Sequence, residues 1–363
     1  MSPTKSTAAA ARRAPTDRAG VLRRADRPHV AVVDDLLGRP LRDLRISVTD
    51  RCNFRCPYCM PREHYRPGYP FRADSELLGA DEIVRLAAIF VSLGVTKIRL
   101  TGGEPLLRRD LVDIVTQLHD LGIPDLALTT NGALLAQLAG RLARAGLRRL
   151  TVSLDSLDPA TFAAMSDSRV ELAKVLDGIT AAREAGLDPI KLNCMVRRGV
   201  NEGSILGLVD FARSEGLILR FIEFMDVGSS NGWRRESVVT AEEILDVVSG
   251  YHPLLEEVRE PNAVARRYRF ADGRGEVGVI ASVSRPFCGD CTRARLGSDG
   301  HLYTCLFAAS GLDLRGPLRD GAGDEEIRRL VSSRWEHRSD RYSETRATRT
   351  EPIQRIEMSY IGG

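Results

Sequence analysis

Leu44-Arg45-Ile46-Ser47-Val48-Thr49-Asp50-Arg51-Cys52-Asn53-Phe54-Arg55-Cys56-Pro57-Tyr58-Cys59 passes from a short apolar run into three closely spaced thiols. The run 44–49 reads as a strand, because it is brief, β-branched and followed by a polar break. A helical pattern follows over roughly 80–93, where Ile83, Leu86, Ala87 and Phe90 recur at the spacing of one helix face. The alternation then repeats. Strands are expected near 97–101, 126–130, 149–154, 190–196 and 218–225. Helices are expected near 107–121, 134–145, 171–185, 202–215 and 240–249. The last of these opens with a capping box, Thr240 to Glu243. Gly94, Gly122, Gly146, Gly186 and Gly216 stand where helices should stop.

Six consecutive βα units specify a parallel sheet with crossover helices. A closed barrel takes eight, so the fold class is α/β, a partial (βα)6 TIM-type barrel. Residues 41–250 form this barrel. After 250 the alternation fades, and residues 251–363 read as a smaller C-terminal lobe that carries a second cysteine group and ends in Gly362-Gly363. Residues 1–40 read as a disordered N-terminal extension. Its first 28 residues hold seven basic against two acidic side chains. Being Ala- and Arg-rich, that stretch also resembles a transit peptide in composition.

The net charge of +3 therefore sits in the extension, which argues against a broadly basic nucleic-acid-binding surface. With 43% hydrophobic and 28% charged residues and no apolar stretch near ~18 residues, the chain reads as globular, without a membrane span. It lacks a secretory h-region, so it is expected in the cytoplasm. Seven cysteines, six of them in two groups of three, argue for metal binding rather than a disulfide framework. The seventh, Cys194, lies inside an apolar strand and reads as a buried thiol.

Sites in parallel βα folds lie at the carboxyl ends of the strands. Collected there are Cys52, Cys56 and Cys59, then Thr101-Gly102-Gly103-Glu104-Pro105, Thr130, Ser153, Lys191 and Met225. Thiolates are soft ligands suited to zinc or iron–sulfur clusters. Three of them in eight residues can hold three irons of a [4Fe–4S] cube and leave the fourth open. A structural zinc site with a distant fourth ligand is the competing reading. For Cys288, Cys291 and Cys305 the spacing leaves two choices open, a zinc site closed by His301 or a second cluster.

The first triad with Tyr58, followed after the second strand by Gly102-Gly103-Glu104-Pro105, resembles the radical S-adenosylmethionine (SAM) superfamily. Residues 40–363 resemble one family within it, the molybdenum cofactor biosynthesis protein A family, the GTP 3′,8-cyclases. Arg45, the run Arg99–Pro105, the second triad with Arg293 and Arg295, and the Gly362-Gly363 terminus carry that closer likeness. It implies two [4Fe–4S] clusters and SAM as cofactors, with SAM at the first cluster and the guanine of GTP at the second. A 5′-deoxyadenosyl radical would take the 3′ hydrogen of GTP, and C3′ would join C8 to give (8S)-3′,8-cyclo-7,8-dihydroguanosine 5′-triphosphate.

By the same resemblance Tyr58, Gly103, Ser153 and Met225 contact SAM, and Arg45, Arg99, Thr130, Lys191, Arg293 and Arg295 contact GTP. Glu104 belongs to the ribbon that holds the SAM amino group and is not a general base. Gly362 and Gly363 enter the site, where a Cβ would be blocked. The implied partners are an external one-electron donor of flavodoxin or ferredoxin type and a downstream cyclic pyranopterin monophosphate synthase. A homodimer is compatible with the sequence. Two rivals stand beside this reading, a radical SAM enzyme that modifies a peptide with an auxiliary cluster, and a non-enzymatic metal-binding sensor.

Overall fold

A computed structural model describes residues 32–346 and 355–362. The expectations for residues 1–31 and for Gly363 lie outside the described residues. Six strands in chain order, β1 (Asp43–Ser47), β2 (Lys97–Thr101), β3 (Asp125–Thr130), β4 (Arg149–Ser153), β5 (Ile190–Val196) and β6 (Ile218–Glu223), pair in parallel with their sequence neighbours. Between them run α1 (Ala80–Ser92), α2 (Leu111–Asp120), α3 (Leu135–Arg144), α4 (Pro159–Ser166), α5 (Leu172–Glu184) and α6 (Ile205–Glu215), and α7 (Ala241–Ser249) follows β6. The six units match the alternation in the sequence. Only α4 is additional. It is nucleated by Asp158, whose carboxylate accepts the amide of Thr161 at 2.8 Å, with Pro159 fixed at the first helical position.

The local signals act as expected. In α1, Ile83, Leu86, Ala87 and Phe90 are fully buried. The Thr240 amide donates to Glu243 at 2.8 Å and the Glu243 amide to Thr240 Oγ1 at 3.3 Å, closing the capping box of α7. Gly94, Gly122, Gly146, Gly186 and Gly216 all take positive φ at helix ends. Along each strand the side chains alternate between two environments. Leu44, Ile46, Ile98, Leu100, Leu128 and Val152 are 0% exposed and pack beneath the helices. Each such side chain contributes roughly 1.5–3 kcal/mol of burial.

The C-terminal region after residue 250 is continuous with the barrel sheet. It adds β7 (Leu254–Glu256), β8 (Arg266–Phe270), β9 (Glu276–Ile280), β10 (Arg293–Leu296), β11 (His301–Tyr303) and β12 (Leu312–Asp313) to the same sheet, whose order is β12-β11-β10-β1-β2-β3-β4-β5-β6-β9-β8-β7. Strand β9 joins β6 in parallel and β10 joins β1 in parallel. The chain thus extends both edges of the barrel rather than capping it. Residues from β8, β9 and β10 line one cavity together with β1–β6, so the sheet curls around that space. The helices α8 (Arg315–Arg319), α9 (Asp324–Glu336), α10 (Tyr342–Thr345) and α11 (Met358–Ile361) complete the described chain. Residues 32–40, read above with the disordered extension, belong to this fold: Val33, Asp35 and Arg39 are buried, and Asp34 bridges to Pro40.

Candidate active site

Two adjoining cavities lie within the sheet, the first at the carboxyl ends of the strands and the second reaching toward their amino ends, where Asp43, Lys97, Asp125 and Arg149 begin β1 to β4. The first, about 210 Å³, is lined by Cys52, Cys56, Cys59, Tyr58, Gly102, Gly103, Glu104, Thr130, Ser153, Asp155 and others. The second, about 560 Å³, is lined by Cys288, Cys291 and Cys305 and by the inward faces of the strands. Thr129, Asn193, Ile222, Met225 and Met358 belong to both walls.

The geometry of the first cavity follows from β2. The amide of Gly103 donates to the Thr49 carbonyl and that of Glu104 to the Arg51 carbonyl, both at 2.8 Å. This ties the Gly-Gly-Glu ribbon to the segment that leads into the first triad. A Cβ at Gly102 or Gly103 would overlap the carbonyl of Thr49 or Arg51, so glycine is required by the chain's own backbone, independently of any ligand. The Glu104 carboxylate accepts from Thr130 Oγ1 at 2.6 Å, from the Asn131 amide at 2.7 Å and from the Leu106 amide at 2.9 Å, and burial pushes its pKa up to about 7. Both oxygens are occupied, which fits a positioning role better than a general base. Tyr58 donates to Asp155 at 2.7 Å, and the other Asp155 oxygen accepts the Met195 amide at 2.8 Å. Burial raises Asp155 to about 6.

Among the described residues no Lys or Arg lines this first cavity. Burial pushes the Cys52 thiol up to about 12 and raises Cys56 and Cys59 as well. Arg55, the one described cation that lowers the Cys52 thiol, does not overcome its burial, and cluster irons would supply the remaining positive charge. Among the described residues no three His, Cys, Asp or Glu are placed to hold a single metal ion. The triad therefore fits a cluster better than a closed zinc site. Cys52, Cys56 and Cys59 would be its ligands, and the cation-free wall suits a sulfonium.

The second cavity has the opposite charge. Among the described residues, ten Lys or Arg and five Asp or Glu line it. Register explains the crowding. Arg295, Arg45, Arg99 and Arg149 occupy one row across β10, β1, β2 and β4, with Ala127 of β3 between the last two. Arg99 donates to Thr129 Oγ1 and Thr151 Oγ1 at 3.0 and 2.9 Å. Burial lowers Arg45 well below its ordinary value, with Arg295 and Arg293 adding to the effect. Burial likewise brings Arg295 and Arg220 to about 10, and Lys191 to about 7. Such depressions mark positive charges held together without enough anions.

At the second triad, burial pushes the Cys291 thiol up, but the charges of Arg293 and Arg338 outweigh it and bring it to about 6. The Arg293 guanidinium lies 3.5 Å from the Cys291 sulfur. His301 does not line this cavity. Its Nδ1 faces Asp299 at 3.3 Å instead, so the zinc site with His301 is not assembled. The donor set of Cys288, Cys291 and Cys305 beside a polar cavity fits a cluster.

Arg45, Arg99, Lys191, Arg293 and Arg295 thus meet in one place. Thr130 does not join them. Side chains alternate along β3, so Thr129 faces the shared wall while Thr130 turns to Glu104 in the first cavity. Tyr58, Gly103, Ser153 and Met225 all line the first cavity. Arg149, Arg220 and Lys97 were missed. Arg149 shares a strand face with Thr151 and Ser153, and the period of two could have identified it. The tail enters from the C-terminus. Ile361 and Gly362 are buried, the Gly362 carbonyl accepts from Arg295, and a Cβ at Gly362 would strike Thr101 Oγ1. Cys194 is a buried thiol, 1% exposed.

Comparison with known proteins gives two family matches, the Radical SAM superfamily over residues 46–212 and Molybdenum Cofactor Synthesis C over residues 217–344. The GTP 3′,8-cyclase of Acidothermus cellulolyticus is 54% identical, over 91% of this chain and 99% of that protein. The GTP 3′,8-cyclase of Xanthomonas campestris pv. campestris strain B100 is 52% identical over 92% and 98%, and that of Staphylococcus haemolyticus 44% identical over 92% and 100%. Among solved structures, Streptococcus suis SuiB bound to S-adenosylmethionine superposes with a TM-score of 0.57 at 15% identity, covering 80% of this chain and 68% of that one. SuiB bound to the precursor peptide SuiA gives 0.55 at 16% identity, over 74% and 60%. At such identities the likeness is one of fold.

Proposed function

Because this chain belongs to the GTP 3′,8-cyclase family of radical SAM enzymes, we infer that it binds GTP in the second cavity and SAM in the first and carries out the first step of molybdenum cofactor biosynthesis. The observation that carries the substrate assignment is the second cavity's excess of cations, spread over β1, β2, β4, β5, β6 and β10 and adjoining the first triad's cavity. When bound, the first [4Fe–4S] cluster and SAM would supply a 5′-deoxyadenosyl radical able to take the 3′ hydrogen of GTP, the second cluster would hold the guanine, and one further electron and proton would complete the C3′–C8 bonded dihydro product.

The chain's own residues hold and orient. Cys52, Cys56 and Cys59 ligate the first cluster, and Cys288, Cys291 and Cys305 the second. Arg45, Arg99, Lys191, Arg293 and Arg295, joined by Arg149 and Arg220, hold the triphosphate, since Arg forks pair bidentately with phosphate oxygens and Lys acts as a point charge. Tyr58, Gly103, Ser153 and Met225 contact SAM, with Tyr58 fixed by Asp155. Thr130 reaches the substrate side only by orienting Glu104. Met225 and Met358, on the shared wall, exclude water between the two ligands. Gly362 places its backbone beside the substrate, where a Cβ would collide with Thr101.

An external one-electron donor of flavodoxin or ferredoxin type reduces the first cluster, and a cyclic pyranopterin monophosphate synthase takes the product, in the cytoplasm. The peptide-modifying reading is weakened by the ten cations, which suit a polyanion. Among the described residues no helix is long and apolar enough to cross a membrane.

Anaerobic turnover with GTP deuterated at C3′ tests the assignment. Deuterium should appear in 5′-deoxyadenosine, and unlabelled 5′-deoxyadenosine would remove the proposed reaction.

A further inference from the structure

The loop that carries Cys288 and Cys291 is gripped from behind by a buried charged cluster, of which Arg338 also reaches the wall of the second cavity. Asp35, Arg39 and Arg338 are 7%, 2% and 4% exposed. One Asp35 oxygen accepts from the amides of Leu37 and Arg39, at 2.9 and 3.0 Å. The other accepts from Arg39 Nε at 2.6 Å and Arg338 Nη1 at 3.2 Å. Each guanidinium then reaches a cysteine backbone. Arg39 Nη1 donates to the Cys288 carbonyl at 2.7 Å, and Arg338 Nη1 to the Cys291 carbonyl at 2.6 Å.

The third cysteine is tied in nearby. Arg39 Nη1 also donates to the Asp340 carbonyl at 2.8 Å, and the Asp340 carboxylate accepts from Thr304 Oγ1, beside Cys305, at 2.6 Å. The arginines are themselves fixed. The Trp335 indole donates to the Arg39 carbonyl at 3.0 Å, and the Arg338 guanidinium lies 4.5 Å from the Trp335 ring centre. Two features go beyond what holding a loop requires. The cluster puts two cations against one fully buried carboxylate, with Asp340 only partly buried. In addition, the buried Nη2 of Arg39 has no hydrogen-bond partner among the described residues. A buried excess of positive charge costs free energy unless something anionic lies close by. Three cluster thiolates are anionic, and groups behind metal ligands fix ligand orientation and tune the metal.

We propose that Asp35, Arg39 and Arg338 are positioning residues that preset the Cys288–Cys291 loop for the second cluster and offset its thiolate charge. The proposal rests on the reading that the second triad holds a cluster. It also assigns a role to residues 35–39, which lie ahead of the barrel.

The test follows iron release to a chelator from anaerobically reconstituted full-length protein. A variant with Cys288, Cys291 and Cys305 all changed to Ala identifies the first-cluster phase. In Arg338→Gln and Arg39→Gln the second-cluster phase should accelerate about 10- to 100-fold, the usual effect of losing such a partner, while the first-cluster phase stays as in the parent. Should the glutamine variants fail to fold, Arg338→Lys keeps the charge but loses the fork that spans Asp35 and the Cys291 carbonyl, and should accelerate the same phase. An unchanged second phase, or equal acceleration of both phases, overturns the clamp. A parent protein with iron and sulfide for one cluster defeats the reading of the second triad and the clamp with it. A parent with two phases and indifferent variants defeats the clamp alone.

Discussion

Lys191 shows how one side chain reports on the whole cavity. Burial first, then the charges of Arg220 and Arg149, bring its pKa down to about 7. Between about 7 and the ordinary 10.5 an unfolded chain keeps the proton that the folded chain has lost. The Lys191 contribution therefore makes the unliganded protein more stable as pH rises through that window. A bound triphosphate reverses the local charge and restores the protonated form. GTP binding at pH 8 should accordingly take up about one proton at Lys191, and at pH 6, where the lysine is already charged, almost none. Calorimetry in two buffers of different ionisation enthalpy measures this directly. Lys191→Met should abolish the uptake and weaken binding about 10- to 100-fold, as loss of a charged hydrogen bond does. Uptake persisting in that variant would place the titrating group elsewhere. The same residue shows what was legible. Lys191 was found because it lies on a predicted strand, and Arg149 and Arg220, on the same faces of β4 and β6, were open to the same reasoning. Thr130 lines the first cavity and not the second, because a one-residue step along a strand turns the side chain to the other face.

At the scale of the element, the C-terminal tail depends on one carboxylate. Asp226 follows β6 and is 8% exposed. One of its oxygens accepts from Tyr342 at 2.6 Å and Arg355 at 3.0 Å, and the other from Arg346 at 2.9 Å. Further along, Glu357 accepts the Ser229 amide at 2.9 Å and Ser230 Oγ at 2.8 Å, so the chain enters the barrel under two successive restraints. Asp226→Asn preserves the shape and removes the charge that both arginines share. Breaking a buried pair costs about 3–5 kcal/mol, and here the loss falls on a short segment rather than on the fold. Amide exchange over residues 355–362 should quicken about 100-fold while β1–β6 keep their protection. Unchanged exchange in the tail would show that insertion does not depend on Asp226. The sequence marked the tail through Gly362-Gly363 but did not mark Asp226. The latch joins residues more than a hundred positions apart, and no local pattern records such a pairing. Strands β9 and β10 escaped for the same reason, since Asp43 pairs with Arg293. Residues 35–39 read as part of a tail because their burial depends on Arg338.

Across the whole molecule, the sheet gathers like charges around a space that only an anion can settle. Arg45, Arg99, Arg220, Arg295 and Lys191 all have their pKa values depressed, by burial first and by one another's charge second, so a bound anion would favour their charged forms. These residues come from β1, β2, β5, β6 and β10, and an anion that bridges them ties together strands from both halves of the chain. Any ligand that binds only the folded state stabilises it by mass action, about 2.7 kcal/mol at a hundred times its dissociation constant. Inorganic tripolyphosphate, which has no guanine and no ribose, should therefore raise the melting temperature of the cluster-free protein. The rise should be smaller in 1 M salt, where the Debye length shrinks to about 3 Å. Arg220→Met should remove much of the increase, because one of the buried cations facing the anion is gone. If tripolyphosphate leaves the melting temperature unchanged while GTP raises it, the guanine end holds the nucleotide and the cation rows are not its anchor. If both raise it equally, the phosphate chain dominates binding, and the second triad serves to orient the base once the triphosphate is in place.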